Sequence, residues 1–160
     1  MRADDIAQRV KTHPFLQGMD PAELDILAQC ATPTEFQADQ VIFRAGEQAS
    51  GFYLIESGRV ALEAQSEEGN RVVVDVVGSG EPLGWSWIFE PYRWQFDARA
   101  TEATTALCFS GILLRQHRDD DLMLSHELFK RMCEVMVRRL QHARGKFVSL
   151  YDARSGMRKG

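Results

Sequence analysis

The residues best equipped for recognition chemistry lie in one short segment. Gly84-Trp85-Ser86-Trp87-Ile88-Phe89-Glu90-Pro91-Tyr92-Arg93-Trp94-Gln95-Phe96 holds all three tryptophans and, between 85 and 96, six of the fifteen aromatics. Indole faces beside a guanidinium can stack on a planar ligand or hold a cation, and Arg93 or the nearby Arg99 can pair an anion. Two readings follow. In one, Trp85, Trp87 and Phe89 pack inward at alternate positions and plug a cavity. In the other, Trp85, Arg93 and Trp94 line a pocket for a planar or anionic ligand. Pro91-Tyr92 breaks the segment and should aim Arg93 and Trp94 differently from Trp85 and Trp87.

Other chemistries find little support. His13, His117, His126 and His142 are scattered, with no Cys-x-x-Cys and no His-Glu-x-x-His spacing, so no metal site is expected. No Gly-x-Ser-x-Gly elbow and no phosphate-binding loop is present, and Ser86 has no base nearby in sequence, so the chain is not read as an enzyme. Cys30, Cys108 and Cys133 are odd in number, far apart and set in apolar patterns. They read as buried thiols of a reducing cytoplasm, with Cys108 and Cys133 as core positions.

These residues need a scaffold, and 160 residues suffice for one domain with its own core. The start Met1-Arg2-Ala3-Asp4-Asp5 is polar and no run of 18 apolar residues occurs, so neither a signal peptide nor a membrane span is expected. A short helix is expected over 4–12, limited by Pro14. Asp20-Pro21 opens another by capping, with Glu23 completing a box-like signal. Leu24, Leu27, Ala28 and Ala31 follow at helical spacing until Pro33. From Thr34 to Phe109 the texture changes to short β-rich runs punctuated by Gly46, Gly58, Gly69, Gly78 and Gly80. A single antiparallel jelly roll is the natural closure.

After Ser110-Gly111 the pattern is helical again, first over 112–118. Then Asp119-Asp120-Asp121 precedes or opens a long helix. Along it Phe129, Cys133, Met136, Leu140, Ala143, Phe147 and Leu150 recur with spacings 4, 3, 4, 3, 4, 3. This is a heptad seam, and it predicts a two-fold helical homodimer. A second stripe, Leu128, Met132 and Val135, is expected to face the roll. Gly145 weakens the seam by roughly 1 kcal/mol. Residues 130–160 carry 9 basic and 2 acidic side chains against 10 and 21 over 1–129, so an acidic body precedes a basic tail. Such a tail suits an acidic partner or nucleic acid, or is a solvated helix face that complements the acidic body, which is favoured because the tail contains no complete DNA-reading motif.

The string Arg44-Ala45-Gly46-Glu47 followed by Phe52-Tyr53-Leu54-Ile55-Glu56-Ser57-Gly58-Arg59-Val60 gives this order of elements a family likeness. Leu83-Gly84, Ala98-Arg99-Ala100 and Met136-Val137-Arg138-Arg139-Leu140-Gln141 extend it. Over about residues 13–154 the chain resembles the cyclic-nucleotide-binding domain, in particular the sensor half of the catabolite activator protein family. The resemblance implies an α+β, mainly β fold: N-terminal helices over 1–33, a jelly roll over 34–110, a short helix and long dimerisation helix over 111–154, and a tail over 155–160. It also implies a ligand cassette entered at Gly84, in which a glutamate accepts the ribose hydroxyl and an arginine pairs the cyclic phosphate. Here Trp85 takes the glutamate position, Trp94 the arginine position and Gln95 that of its hydroxyl neighbour. Arg93 takes the arginine role only by a register shift, and the helix hydroxyls that meet the purine align with Ala143 and Arg144.

Removing one partner of a buried charge pair costs about 2–5 kcal/mol, roughly a 30-fold to several-thousand-fold loss of affinity. Ordinary cyclic AMP sensing is therefore not expected, unless Arg93, Arg99 or Arg144 restores the charge. The candidate ligand-binding set is Gly84, Trp85, Ser86, Arg93, Trp94, Gln95, Arg99 and Arg144. Haem, which some gas-sensing relatives hold in this roll, is disfavoured because Cys108 and Cys133 read as core. The cofactor stays open. Transcription factors of this type continue into a helix-turn-helix where this sequence reads Tyr151-Asp152-Ala153-Arg154-Ser155-Gly156, so no DNA-binding module is expected in this chain. The sequence thus predicts a stand-alone cytoplasmic regulatory module. Either it senses a non-standard small effector, or it is a ligand-free interaction module acting on a protein partner through its dimer helices.

Overall fold

The structure, a computed structural model, describes residues 3–118 and 121–158. They fall into two compact units that divide after Leu124.

The first unit opens with α1 (Ala3–Thr12), a 3-10 turn (Pro14–Leu16) and α2 (Pro21–Cys30). Asp20 caps α2 as its residue type predicts, its side chain accepting from the Ala22 amide at 2.9 Å, and Pro21 takes the first turn. The helix stops at Cys30, earlier than Pro33. Ala31 already pairs with Phe109, so Ala31 and Pro33 belong to a strand. The sheet ladder there outweighs one more helical turn, and Pro33 stands on an edge strand, where its missing N–H is tolerated.

Eight strands follow: β1 (Ala31–Phe36), β2 (Val41–Phe43), β3 (Gly51–Ser57), β4 (Arg59–Gln65), β5 (Arg71–Gly78), β6 (Pro82–Leu83), β7 (Asp97–Ala100) and β8 (Thr104–Ser110). They form two antiparallel four-stranded sheets, β1-β8-β3-β6 and β2-β7-β4-β5. This is the expected jelly roll with N-terminal helices. Phe52, Leu54, Ile55, Val60, Leu107 and Phe109 are sealed from solvent and form its centre. β5 is an edge strand on which Val72, Val73, Val74 and Val76 all stay substantially exposed.

Two ladder irregularities recruit charges. Between Ile55 and Ser57 the β3–β8 register shifts, leaving Glu56 outside the pairing. Its carboxylate takes the Arg9 guanidinium of α1, Nε to Oε2 at 2.8 Å. Beside it the buried His13 ring reaches the Ile55 carbonyl through Nε2 at 2.8 Å, while Nδ1 accepts from the Phe15 amide at 3.2 Å. A second shift, between Leu62 and Glu63, lies where Glu63 is buried.

The roll closes with α3 (Gly111–Arg118), matching the expected short helix. Asp119 and Asp120 lie outside the described residues. Asp121 caps the long helix α4 (Leu122–Arg158) by accepting from the Leu124 amide at 3.0 Å. In the second unit Leu128, Met132 and Val135 are buried. The seam is not: Leu140, Phe147 and Leu150 are each about 70% exposed, Ala143 is exposed, and Phe129 and Met136 are half-covered. Cys133 is exposed and Cys108 half-buried, so of the three cysteines only Cys30 is the buried core thiol expected. Apolar spacing on a helix identifies a stripe but not whether its own chain covers it. Among the described residues no helix is long and apolar enough to cross a membrane.

Candidate functional site

The aromatic segment runs as a chain of turns between β6 and β7. Gly84 begins it with φ +95°, a left-handed conformation that favours glycine. A β-carbon there would also lie 2.6 Å from Cζ3 of Trp94, so the indole ring is seated directly on the glycine. At the far end the backbone is fastened to the turn after β2. Ala49 donates to the Tyr92 carbonyl at 2.6 Å, Trp94 to the Glu47 carbonyl at 2.9 Å, and Gly46 to the Trp94 carbonyl at 2.8 Å. The family-like Arg-Ala-Gly-Glu string is therefore the anchor of the cassette's exit.

Trp94 is buried and stacks on Phe43 with ring centroids 3.8 Å apart and planes within 10°. Phe43 in turn faces Tyr53 at 6.4 Å, and Tyr53 meets Phe36 edge-on at 5.8 Å. An aromatic column thus runs through one side of the β3 sheet. Burial, and then the neighbouring Cys108, push the Tyr53 phenol up to about 12, so it stays a neutral hydroxyl. Trp87 goes elsewhere: it stacks on Phe52 at 5.2 Å, and Phe52 on Phe109 at 4.8 Å. Phe52 and Tyr53 are consecutive on β3, so the two columns occupy opposite faces of the sheet. The expected split between the Trp87 and Trp94 ends of the segment is realised. The expected alternation is not: Trp87 is buried, Trp85 half-buried and packed edge-on to Phe96, and Phe89 is 57% exposed. A turn does not alternate its side chains as a strand does.

Trp85 and Trp94 border a slit lined also by Phe43, Leu62, Gly84, Ser86, Gln95 and Phe96, with a volume of about 10 Å³. That is room for about one water molecule. Five of the eight candidate residues (Gly84, Trp85, Ser86, Trp94 and Gln95) meet here. Arg93 does not line the slit; it is exposed and donates from Nη1 to the Gly46 carbonyl at 2.9 Å. Arg99 is held by carboxylates: Nε and Nη2 bind Glu63 at 2.9 and 3.1 Å, and Nη1 binds Asp39 at 2.9 Å. The register explains the grip, since Ala61 opposes Arg99 and Glu63 opposes Asp97, putting Glu63 and Arg99 on one diagonal. The Glu63 hydrogen bond, reinforced by its charge, raises the Arg99 guanidinium above its ordinary value. Arg144 lies on α4, in the second unit, and is exposed.

Sequence reasoning missed two contributors. Phe43 carries no motif, yet it is the surface on which Trp94 rests. Arg115 of α3, not Arg93, supplies the cation over an aromatic: its Cζ sits 4.6 Å from the Tyr92 ring centroid, and its Nη1 donates to the Trp87 carbonyl at 3.0 Å. No signal in the segment itself points to a residue more than twenty positions downstream. Among the described residues no cluster of His, Cys, Asp or Glu is arranged to hold a metal ion.

Residues 33–120, more than half of the chain and including the whole slit, match the cyclic nucleotide-binding domain. The chain belongs to that family. It is 24% identical over 136 residues to the CRP-like cAMP-activated global transcriptional regulator of Mycobacterium tuberculosis, covering 85% of this chain and 59% of that one. The chain thus spans about three-fifths of the length of this curated relative. In structure it is similar to a cyclic nucleotide-binding domain from Methylobacillus flagellatus, with TM-score 0.76, 15% identity, and coverage of 92% and 83%. It is also similar to the catabolite activator protein of Thermus thermophilus, with TM-score 0.67, 23% identity, and coverage of 86% and 63%. At these identities the two structures speak for the fold. Among the described residues no charged side chain lines the slit, which has room for about one water molecule, so its lining does not fit a cyclic nucleotide.

Proposed function

We propose that this cyclic nucleotide-binding-like domain is a non-enzymatic cytoplasmic regulatory module whose roll is closed by its own Trp94. It acts through contacts made along α4, first with a second copy of itself. The observation that carries this reading is the Trp94 ring stacked 3.8 Å from Phe43 and seated on Gly84, in a slit of about 10 Å³. Where the resemblance places a phosphate-binding arginine, this chain has an apolar ring with no charge to offer. Of the candidate guanidiniums, Arg93 donates to the Gly46 carbonyl outside the slit, and Arg99 is paired with Glu63 and Asp39. The Mycobacterium tuberculosis relative is named as cAMP-activated; among the described residues of this chain the slit is lined by no charged side chain that could pair a nucleotide phosphate. The exposed Leu140, Phe147 and Leu150 supply the alternative output surface.

A thermal-shift panel with cyclic AMP, cyclic GMP and other nucleotides at about 1 mM tests the closed roll, with an absorption spectrum for haem alongside. A ligand at about 100 times its dissociation constant adds roughly 2.7 kcal/mol, several degrees in a protein of this size. No shift and no haem band are expected. A clear shift with any nucleotide would return the reading to a sensor with an effector in the roll.

A further inference from the structure

We infer that His13 is a proton-operated latch, whose protonation undocks α1 and the 3-10 turn after it from the roll. The inference goes beyond the closed roll and does not rest on it. His13 is 3% exposed and stands where three pieces of chain meet. Its Nδ1 lies 3.2 Å from the Phe15 amide of the 3-10 turn, and its Nε2 lies 2.8 Å from the Ile55 carbonyl of β3. An amide N–H only donates and a carbonyl only accepts, which assigns the lone pair to Nδ1 and the hydrogen to Nε2. The docked ring is therefore neutral, with both nitrogens in use. The third piece is the turn between β5 and β6. Its Gly80 amide donates to the same Ile55 carbonyl at 2.9 Å, and Pro14 rests on Gly80, where a β-carbon would lie 3.3 Å from the Pro14 Cγ.

A second proton can go only to Nδ1, and there it faces the Phe15 N–H, donor against donor. The docked arrangement thus holds the neutral ring and rejects the imidazolium. Burial works in the same direction, against the Ile55 carbonyl and the Glu56 charge, which favour the charged ring. The charged groups around the junction are few. Glu56 of β3 is bound by Arg9 of α1, Nε to Oε2 at 2.8 Å, and Glu35 of β1 and Asp5 of α1 add negative charge near that guanidinium. Glu81 of the turn accepts from the Gly78 amide at 3.4 Å. Release of the ring leaves no orphan on the roll, because the Ile55 carbonyl keeps the Gly80 amide. It also uncovers little of α1, whose ten residues include one buried side chain, Val10. Phe15 and Leu16 are the buried apolar groups that the released turn brings to solvent. Below the ordinary value near 6.5 the released ring takes up a proton that the docked ring refuses, so acid drives the release.

Native-state hydrogen exchange followed by NMR on the full chain tests the latch. The Phe15 and Leu16 amides are expected to exchange through a local opening, less protected than Val60 and Leu107 at the centre of the roll and insensitive to low urea. From pH 7.5 to 5.5, after correction for the intrinsic exchange rate, their protection should fall about tenfold, the limit set by one pH unit below the ordinary value. In His13→Gln the side chain can still donate to the Ile55 carbonyl but takes up no proton, so the fall should vanish. The ring-nitrogen shifts of the wild type at pH 7.5 should show the hydrogen on Nε2, a reading that needs no variant. Phe15 and Leu16 exchanging only together with Val60 and Leu107 would overturn the inference, because the segment would then leave the roll only on global unfolding. So would a fall in protection that persists in His13→Gln, or a hydrogen on Nδ1. None of these outcomes touches the nucleotide panel, so failure here and failure of the closed roll are separable.

Discussion

Replacing Trp94 by alanine is the sharpest perturbation of the closed roll. The indole is 5% exposed, stacks on Phe43 and contacts Gly84, so its removal takes away a buried surface and leaves a void that the sheet cannot collapse to fill. Truncations of buried Phe or Trp to Ala cost about 3–5 kcal/mol, against a total stability of about 5–15 kcal/mol for a domain. At roughly 2–4 °C per kcal/mol, the melting temperature should fall by about 6–20 °C while the protein still folds. The void has the shape of an indole, so added indole should restore part of the loss. At about 100 times its dissociation constant the gain is roughly 2.7 kcal/mol, or about 5–11 °C. Wild type should show no such gain, because its slit holds only about 10 Å³. The assay is a pair of melting curves with and without indole for each protein. Trp94→Ala melting with the wild type, or indole stabilising both equally, would refute the claim that Trp94 fills the roll.

Three further outcomes follow from other parts of the molecule. Burial lowers the His13 pKa, opposed by the Ile55 carbonyl and the Glu56 charge, so below its ordinary value near 6.5 the unfolded chain takes up a proton that the folded chain refuses. The His13 contribution is complete above about pH 6.5 and is lost as pH falls towards the lowered folded value; urea midpoints at pH 7.5 and 5.5 should show this, and His13→Gln should remove that part of the slope. Arg99→Met leaves the buried Glu63 carboxylate without its guanidinium, whereas Asp39→Asn removes only an exposed partner, so the first should lower the denaturation midpoint and the second should barely move it. For the seam, Leu140→Asp and Phe147→Asp should each give monomers by light scattering with an unchanged circular dichroism spectrum; dimers surviving both would sink the proposed pairing.

The fold was legible because its signals are local. Asp20-Pro21 caps a helix wherever it stands, and glycines between β-rich runs mark the turns of a roll. What failed did so for want of tertiary information. Ala31 and Pro33 continue a helical spacing, yet Phe109 recruits Ala31 into a ladder from 78 positions away. Phe89 continues an alternation, but a segment of turns has none to continue. The slit was legible in part of its lining and not in its geometry: Gly84, Trp85, Ser86, Trp94 and Gln95 gather there and Arg93, Arg99 and Arg144 do not, while Phe43 and Arg115, which contact the tryptophans and the cassette, announce themselves nowhere. Arginines misled most readily. A guanidinium near an aromatic segment suggests an anion site, but only the folded chain tells whether a carboxylate such as Glu63 already holds it.

The replacement of a charge by a ring bears on regulation as well as on affinity. An effector shifts a conformational equilibrium only by as much as it binds one state better than the other. In a roll open to an anionic ligand that difference is available, because a guanidinium and a ligand phosphate can meet in one state and part in the other. In a roll closed by Trp94 the corresponding contacts, ring on Phe43 and ring on Gly84, belong to the chain itself and are present at every ligand concentration. On the proposed reading the cassette is held permanently in one arrangement, and Arg115, bound to the Trp87 carbonyl and lying over Tyr92, ties that arrangement to α3. Control must then enter where binding free energy is still on offer. One such surface among the described residues is the exposed part of α4, with Leu140, Phe147, Leu150 and Tyr151 each at least 65% accessible. A module of this kind answers to the concentration of its partners, so on the proposed reading it is assembly along α4 that regulation acts upon.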